Sequence, residues 1–294
     1  MPPLPSAPRL FDAALARARL QRAYAQGGAD FLLARAAADL AERVAVVQRR
    51  FARAVDLASP GPHLALALRG LPNVAGVAQL APLAAALAGS GAVADAQALP
   101  LAPASVDLVA SALALHIVDD LPGALVQIRR ALRPDGLFLA CLPGGQTLHE
   151  LRTCLAAGES EISGGASPRV APFADLRDLG ALLQRAGFAL PVTDIETLTL
   201  RYDSMFALLR DLRRMGATNV LAARSKKFLR RDVLARAAAI YGEKFADADG
   251  RVRATVELIY LSGWCPHESQ ARPLQPGSAK MRLAAALGVA ELKA

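Results

Sequence analysis

The sequence predicts an α/β protein built on a doubly wound, mostly parallel sheet, with N-terminal helices and a helical insertion between the last two strands. Three observations carry this. From residue 52 onward short β-like runs alternate with helical ones, the pattern of a parallel sheet with helical crossovers. A complete strand–helix–strand unit lies between Val106 and Cys141. The length of 294 residues suits one large α/β unit with an added segment better than two full domains.

The elements follow in order. Helices are expected over 10–24 and 29–49, the second with apolar Phe31, Leu32, Ala38, Leu40, Val44 and Val47, and Gly27-Gly28 separates them. Strands are expected at Ala54–Leu57, Val74–Val77, Ala92–Ala94, Val106–Ser111 and Leu137–Cys141. Between the last two, Leu121, Leu125, Ile128 and Leu132 mark a helix and Pro134-Asp135-Gly136 a turn. Beyond Gly144-Gly145 come a helix, a loop at Ser163–Pro168, a second helix capped by Gly187, and a strand at Val192–Leu200. Residues 203–245 read as helical, Asp247–Gly250 as a turn and Val256–Leu261 as the last strand. The expected organisation is therefore an N-terminal helical segment (1–50), an α/β core (51–202), a helical insertion or lid (203–250), and a last strand with its tail (251–294). An insertion at that point lies over the carboxyl ends of the strands, where open α/β sheets bind their ligands.

Composition narrows the function. Hydrophobic residues make up 53%, but much of this is alanine scattered among arginines, and no stretch suggests a membrane span. Pro2, Pro3, Pro5 and Pro8 lead into an arginine-studded helix instead of a secretory signal. Residues 10–24 are basic and amphipathic like a mitochondrial presequence, yet Asp12 sits among them and the Ala/Arg bias pervades the chain. A cytoplasmic protein is expected, with at most peripheral contact at the inner face of the membrane. Cys141, Cys154 and Cys265 are odd in number and lack CxxC pairing, which points to neither a disulfide framework nor a zinc site. The formal charge of +8 is compatible with an anionic partner. Its densest cluster, Arg224, Lys226, Lys227, Arg230 and Arg231, has one aromatic neighbour, Phe228, and no nucleic-acid module around it, so sequence-specific nucleic-acid binding is not expected.

The chemistry is expected after the strands. The first strand and its turn read Ala54-Val55-Asp56-Leu57-Ala58-Ser59-Pro60-Gly61-Pro62. In a nucleoside-binding sheet this strand ends in an acid and a glycine-rich turn, because backbone must approach the ligand closely and a carboxylate balances its amino group. Asp56 and Gly61 fit that pattern, Ser59 is a further candidate contact in the turn, and Ala58 takes a glycine position while Pro60 and Pro62 remove two amide donors. After the second strand a carboxylate normally holds the ribose hydroxyls, and Gln79 offers an amide that replaces it only in part. Asp95 and Ala96 stand where an adenine amino group would be received, and Leu115, near the end of the fourth strand, is a further candidate cofactor contact. His116 is a candidate general base, with Asp119 and Asp120 near enough in sequence to modulate it. The pairs His149-Glu150 and His267-Glu268 are too far apart in sequence to suggest a two-histidine, one-carboxylate metal site, and no metal is expected.

Several longer motifs carry a family resemblance. They include Phe11-Asp12, Asp107-Leu108-Val109, Leu115-His116, Asp119-Asp120-Leu121-Pro122 and Leu132-Arg133-Pro134-Asp135-Gly136, which also occur in malonyl-carrier methyltransferases. More discriminating are Gly144-Gly145, Thr147-Leu148, Glu150-Leu151-Arg152, Arg185-Ala186-Gly187-Phe188, and Gly263-Trp264 followed by His267-Glu268-Ser269-Gln270-Ala271-Arg272-Pro273. On these the chain resembles the methyltransferase-like assembly factors of respiratory complex I, whose mitochondrial members hydroxylate an arginine of a complex I subunit. The resemblance implies a class I S-adenosylmethionine methyltransferase fold, S-adenosylmethionine as cofactor, and a complex I subunit or assembly intermediate as partner. It also implies a C-terminal signature in which Trp264, His267, Glu268, Gln270 and Arg272 form either a substrate-facing polar tail or a clamp on the last strand. The chain departs from this family at the glycine loop and at the ribose carboxylate. Three functions follow as expectations: modification of a subunit arginine, a non-catalytic assembly role, or O-methylation of a malonyl carrier.

Overall fold

Strand β1 (Ala54–Leu57) is buried along its whole length because it lies between two parallel neighbours, β2 (Val77–Ala81) and β4 (Val106–Ala112). The computed structural model describes residues 9–270. With β3 (Gly91–Val93), β5 (Leu132–Pro143), β6 (Ala189–Tyr202) and β7 (Val252–Trp264), these strands form one seven-stranded sheet of order β3-β2-β1-β4-β5-β7-β6. The first five run parallel; β7 enters antiparallel between β5 and β6.

Eight α-helices appear among the described residues: α1 (Ala13–Ala25), α2 (Phe31–Ala45), α3 (His63–Arg69), α4 (Leu121–Ala131), α5 (His149–Ser163), α6 (Leu176–Arg185), α7 (Met205–Arg214) and α8 (Arg231–Phe245). Short polar side chains fix several starts, since Asp12, Asp120, Asp175 and Ser204 accept hydrogen bonds from backbone amides in the first turns of α1, α4, α6 and α7. Gly187, at φ +82°, ends α6 as its sequence position predicts. On one face of the sheet α2 and α3 bury Leu40, Val44, Leu64 and Leu68 against Leu108, Leu139 and Tyr260. On the other, α4 and α6 bury Leu125, Ile128 and Leu183, with Phe138 stacked on Phe188 at 5.3 Å between centroids. A third cluster joins α5, α7 and α8 to the start of β7, and there Gly158 lets α5 approach the backbone of Ala237.

Some expected boundaries change. The strand expected at Val74–Val77 begins at Val77, because Val74 makes only an isolated bridge to Phe51 and its amide turns back to Leu71. The helical stretch expected over 203–245 is interrupted between α7 and α8, where Gly216 takes φ +72°. Two members of the basic cluster are neutralised, Arg224 by Asp12 at 3.0 Å and Arg230 by Asp232. Asp107 accepts from the Arg53 amide and from Arg133, a structural tie at the amino ends of the parallel strands.

Candidate functional site

A cavity of about 870 Å³ opens at the carboxyl ends of β1 to β5. Its floor is the segments that follow those strands, and its walls come from α1, the α1–α2 turn, α7 and the loop after α7. Residues 10–24 thus form part of a folded wall: Arg19 donates to the Asn219 carbonyl, and the Asp12 amide to that of Val220 at 2.8 Å.

The turn after β1 is the most altered part. Ala58 takes φ +58°, a left-handed conformation that suits glycine and costs an L-residue about 1–2 kcal/mol. Without amide protons at Pro60 and Pro62, the loop presents carbonyls. Pro60 O accepts from Tyr24 Oη at 2.6 Å, and Gly61 O accepts from Gln79 Nε2 at 3.0 Å. A Cβ at Gly61 would lie 2.8 Å from Leu33 Cδ2 and 3.1 Å from Tyr24 Oη. A side chain there would make Leu33 and Tyr24 of the N-terminal helices shift, a reason for the glycine different from the ligand approach inferred from sequence.

The expected cofactor residues divide between the cavity and the interior. Ala58, Gly61, Asp95 and Ala96 line the cavity. Asp95 Oδ1 accepts from the Gln97 amide at 2.9 Å, which fixes the carboxyl group at the edge of the cavity. Ser59 does not line it: buried, it accepts from the Ala112 amide at 2.9 Å and ties the loop to β4. Leu115 packs into the core beneath. Gln79 is fully buried, and its amide is engaged by Gly61 O, Ala86 O and the Ala88 amide at 3.0, 3.0 and 2.9 Å. The partial ribose contact expected of Gln79 is thereby corrected, since both of its N–H bonds are already given to backbone. Asp56 is also fully buried, with neither carboxyl oxygen hydrogen-bonded. Burial pushes its pKa up to about 7, against the smaller lowering pull of Ser59, the Ala65 amide and Arg69.

His116 lines the cavity 5.9 Å from Phe173, with Nδ1 buried and unpartnered. Burial pulls its pKa down to about 4, which keeps the ring neutral at pH 7 but makes it a weak proton acceptor. The expected modulators act elsewhere. Asp119 accepts the amides of Leu10 and Phe11, and Asp120 caps α4. The reading of His116 as a tuned general base is corrected accordingly; the geometry leaves it as a neutral hydrogen-bonding group.

The C-terminal signature lies at the opposite edge. Because β7 runs antiparallel, its end reaches the start of β5, where Trp264 pairs with Leu137 and the Cys265 amide donates to Gly136 O at 2.8 Å. Gln270 donates to Asp135 Oδ1 at 2.8 Å and to Cys265 O at 2.9 Å, and Arg49 pairs with the same Asp135. His267 bonds Ser269, its amide donates to the Gln270 side chain, and Glu268 is exposed. None of Trp264, His267, Glu268 and Gln270 lines the cavity. The substrate-facing tail is corrected to a clamp on the last strand; Arg272 lies outside the described residues. His149 and Glu150 do not form a ligand pair either: buried Glu150 accepts from the amide and hydroxyl of Thr255. Among the described residues no cluster of three or more His, Cys, Asp or Glu is arranged to hold a metal ion.

Sequence reasoning missed Tyr24, Asp30 and His63, all of which line the cavity. Asp30 Oδ2 lies 3.0 Å from His63 Nε2, and His63 Nδ1 is buried without a partner. No local signal marks this pair, because its members are 33 positions apart.

Residues 62–140 match the model of the methyltransferase domain. In structure the chain is similar to a putative methyltransferase from Bacillus halodurans, at a TM-score of 0.55 and 16% identity over 78% of this chain and 99% of that one. The fold is that of a class I methyltransferase. In sequence this methyltransferase-fold chain is 44% identical over 192 residues to the mitochondrial arginine-hydroxylase NDUFAF5 of Danio rerio, covering 65% of this chain and 60% of that protein. It is 46% identical over 187 residues to the Homo sapiens counterpart, covering 64% and 54%. A malonyl-[acyl-carrier protein] O-methyltransferase from Xylella fastidiosa is 41% identical over 172 residues, covering 58% and 56%. The resemblance carried by the sequence motifs is thus borne out, over alignments that span about three-fifths of the length of these relatives or less. The cytoplasmic expectation is overturned, because the arginine-hydroxylase relatives are named as mitochondrial proteins. No helix among the described residues is long and apolar enough to cross a membrane.

S-adenosylmethionine is the cofactor this fold implies. Asp95, Ala96, Asp30, His63 and His116 are polar or backbone-lined parts of the cavity wall at the edge where this fold places its cofactor. The second strand supplies no ribose carboxylate, since Gln79 is engaged internally.

Proposed function

We propose that this methyltransferase-fold chain acts in the assembly of respiratory complex I and hydroxylates an arginine of one of its subunits. The observation that carries this reading is the large open cavity over the fold's cofactor edge, walled by the N-terminal helices and the insertion. The arginine-hydroxylase relatives at 44–46% identity support the activity assigned to it. In this reading the insertion (203–250) is a lid. Asp95 receives the adenine amino group, the turn Ala58–Gly61 faces the methionine end, and neutral His116 offers hydrogen bonds to the guest. Hydroxylation converts an arginine C–H to C–OH, a two-electron oxidation whose oxygen atom and oxidising equivalents must come from an oxygen-donor co-substrate of the dioxygen or peroxide class. The electrophilic methyl group that S-adenosylmethionine would supply when bound serves methyl transfer instead.

Two measurements test the proposal. In a strain lacking the gene, mass spectrometry of complex I subunits should show one arginine without its added oxygen atom, restored by the wild-type copy; unchanged arginines would refute the hydroxylase reading. Calorimetry with S-adenosylmethionine and S-adenosylhomocysteine should give micromolar binding, about 8 kcal/mol.

The altered turn, with Ala58, Pro60 and Pro62, favours a second reading in which the chain binds a nascent subunit without catalysis. Normal assembly supported by an Asp95→Asn variant that no longer binds S-adenosylmethionine would support that role. O-methylation of a malonyl carrier, suggested by the Xylella fastidiosa relative, predicts rescue of a biotin auxotroph.

A further inference from the structure

The second strand of this sheet has lost its ribose ligand, yet the cavity retains polar groups beside the same loop. Gln79 donates both amide protons to the carbonyls of Gly61 and Ala86 and accepts from the Ala88 amide. These bonds lace the turn after β1 to the segment between β2 and β3 and leave Gln79 no proton to give a ligand. It does not line the cavity; Asp30 and His63 do.

The pair is built as an acceptor. His63 follows Pro62 directly, so it is carried by the altered turn itself. Its Nε2 lies 3.0 Å from Asp30 Oδ2, so the carboxylate places the ring proton on Nε2 and leaves the lone pair on Nδ1. Nδ1 is buried without a partner, next to Gly61: a Cβ there would be 3.3 Å from it. The ring proton on Nε2 holds one carboxylate oxygen of Asp30, and the carboxylate, 68% exposed on the cavity wall, keeps an acceptor for a sugar hydroxyl. The carboxylates lining the cavity are Asp30 and Asp95, and Asp95 belongs to the adenine end.

We propose that the ribose-reading role has passed from the second strand to the Asp30–His63 pair, and that Gln79 is a positioning residue that shapes the loop. The proposal rests on the cavity accepting an adenine nucleoside and is independent of whether the chain hydroxylates arginine.

The test measures binding of S-adenosylhomocysteine and of its 2′,3′-dideoxy analogue by calorimetry, with amide hydrogen exchange as the ligand-free readout. Asp30→Ala changes an exposed side chain and should weaken S-adenosylhomocysteine about tenfold, the loss expected when a charge-supported hydrogen bond goes. It should leave the dideoxy analogue within about threefold, and His63→Gln should behave in the same way. Gln79→Met should weaken both ligands by the same factor, because it loosens the loop without removing a ribose contact, while the Ala88 amide exchanges about tenfold faster. Selective loss of S-adenosylhomocysteine affinity in Gln79→Met, with Asp30→Ala unaffected, would return the ribose contact to the second strand and overturn the proposal. Should Gln79→Met not fold, Gln79→Asn, which shortens the amide and breaks its backbone bonds without adding a carboxylate, serves the same comparison. Failure of the folded wild type to bind either ligand would remove the nucleoside reading and the proposal with it, an outcome distinct from binding that ignores Asp30.

Discussion

Replacing Asp56 with asparagine should make the protein more stable at pH 8 and leave it nearly unchanged at pH 5. The carboxyl group is fully buried and unpaired, and burial raises its pKa from 3.8 to about 7. A raised carboxyl pKa means that the folded state holds a proton which the unfolded state releases, so stability falls as pH rises from 3.8 toward 7. The whole shift corresponds to roughly 4 kcal/mol, of which about 2.5 kcal/mol is lost between pH 5 and pH 8. An asparagine side chain would keep the size and remove the ionisation. Urea unfolding of both proteins at pH 5, 6, 7 and 8 would give two stability profiles, and their difference isolates this group from every other titration. We expect the profiles to diverge by about 2.5 kcal/mol across that window, in favour of Asp56→Asn at the alkaline end. Parallel profiles would show that Asp56 ionises as readily in the folded protein as in the unfolded one, and the reasoning from burial would fail.

Three further outcomes follow. Ala58→Gly, at φ +58°, should raise stability by up to about 1 kcal/mol in thermal unfolding, because relief of the left-handed strain exceeds the added freedom of the unfolded chain. Gly158→Ala should cost about 1–3 kcal/mol, since the new methyl would sit 2.9 Å from the Ala237 backbone nitrogen and force α5 from α8. For His116, whose pKa is pulled from 6.5 to about 4, stability should decline as pH drops through that interval, because the unfolded state takes up the proton first. The imidazole signals of His116 should accordingly stay in the neutral form at pH 6 in a nuclear magnetic resonance titration, and a midpoint near 6.5 would refute the burial argument.

The parts of the fold readable from sequence are those whose signals are local. The unit from Val106 to Cys141 shows its change of period within 36 residues, and Gly187 ends α6 because only the next few backbone groups decide that conformation. The cavity was legible as an edge and not as a set of contacts. Whether Gln79 faces a ligand or the Gly61 carbonyl depends on where a turn 18 positions away folds back. The C-terminal signature was misplaced for a related reason: residue order does not state that β7 runs against its neighbours, and that direction alone sends Gln270 to Asp135 instead of to the cavity.

The place of β7 in the sheet also governs when the site can exist. Strand β6 pairs only with β7, and β7 is made last, after α7 and α8. While a ribosome is still producing residues before about 252, β5 has one open edge and β6 has no partner at all. The cavity wall contributed by α7 packs in part on the first residues of β7, so that part of it is completed only when this strand slides between them. Contacts this distant in sequence are slow to close, so the growing chain exposes two unsatisfied strand edges for a long interval. Synthesis of β7 is therefore the step that pairs both strand edges at once and completes the wall of the cavity.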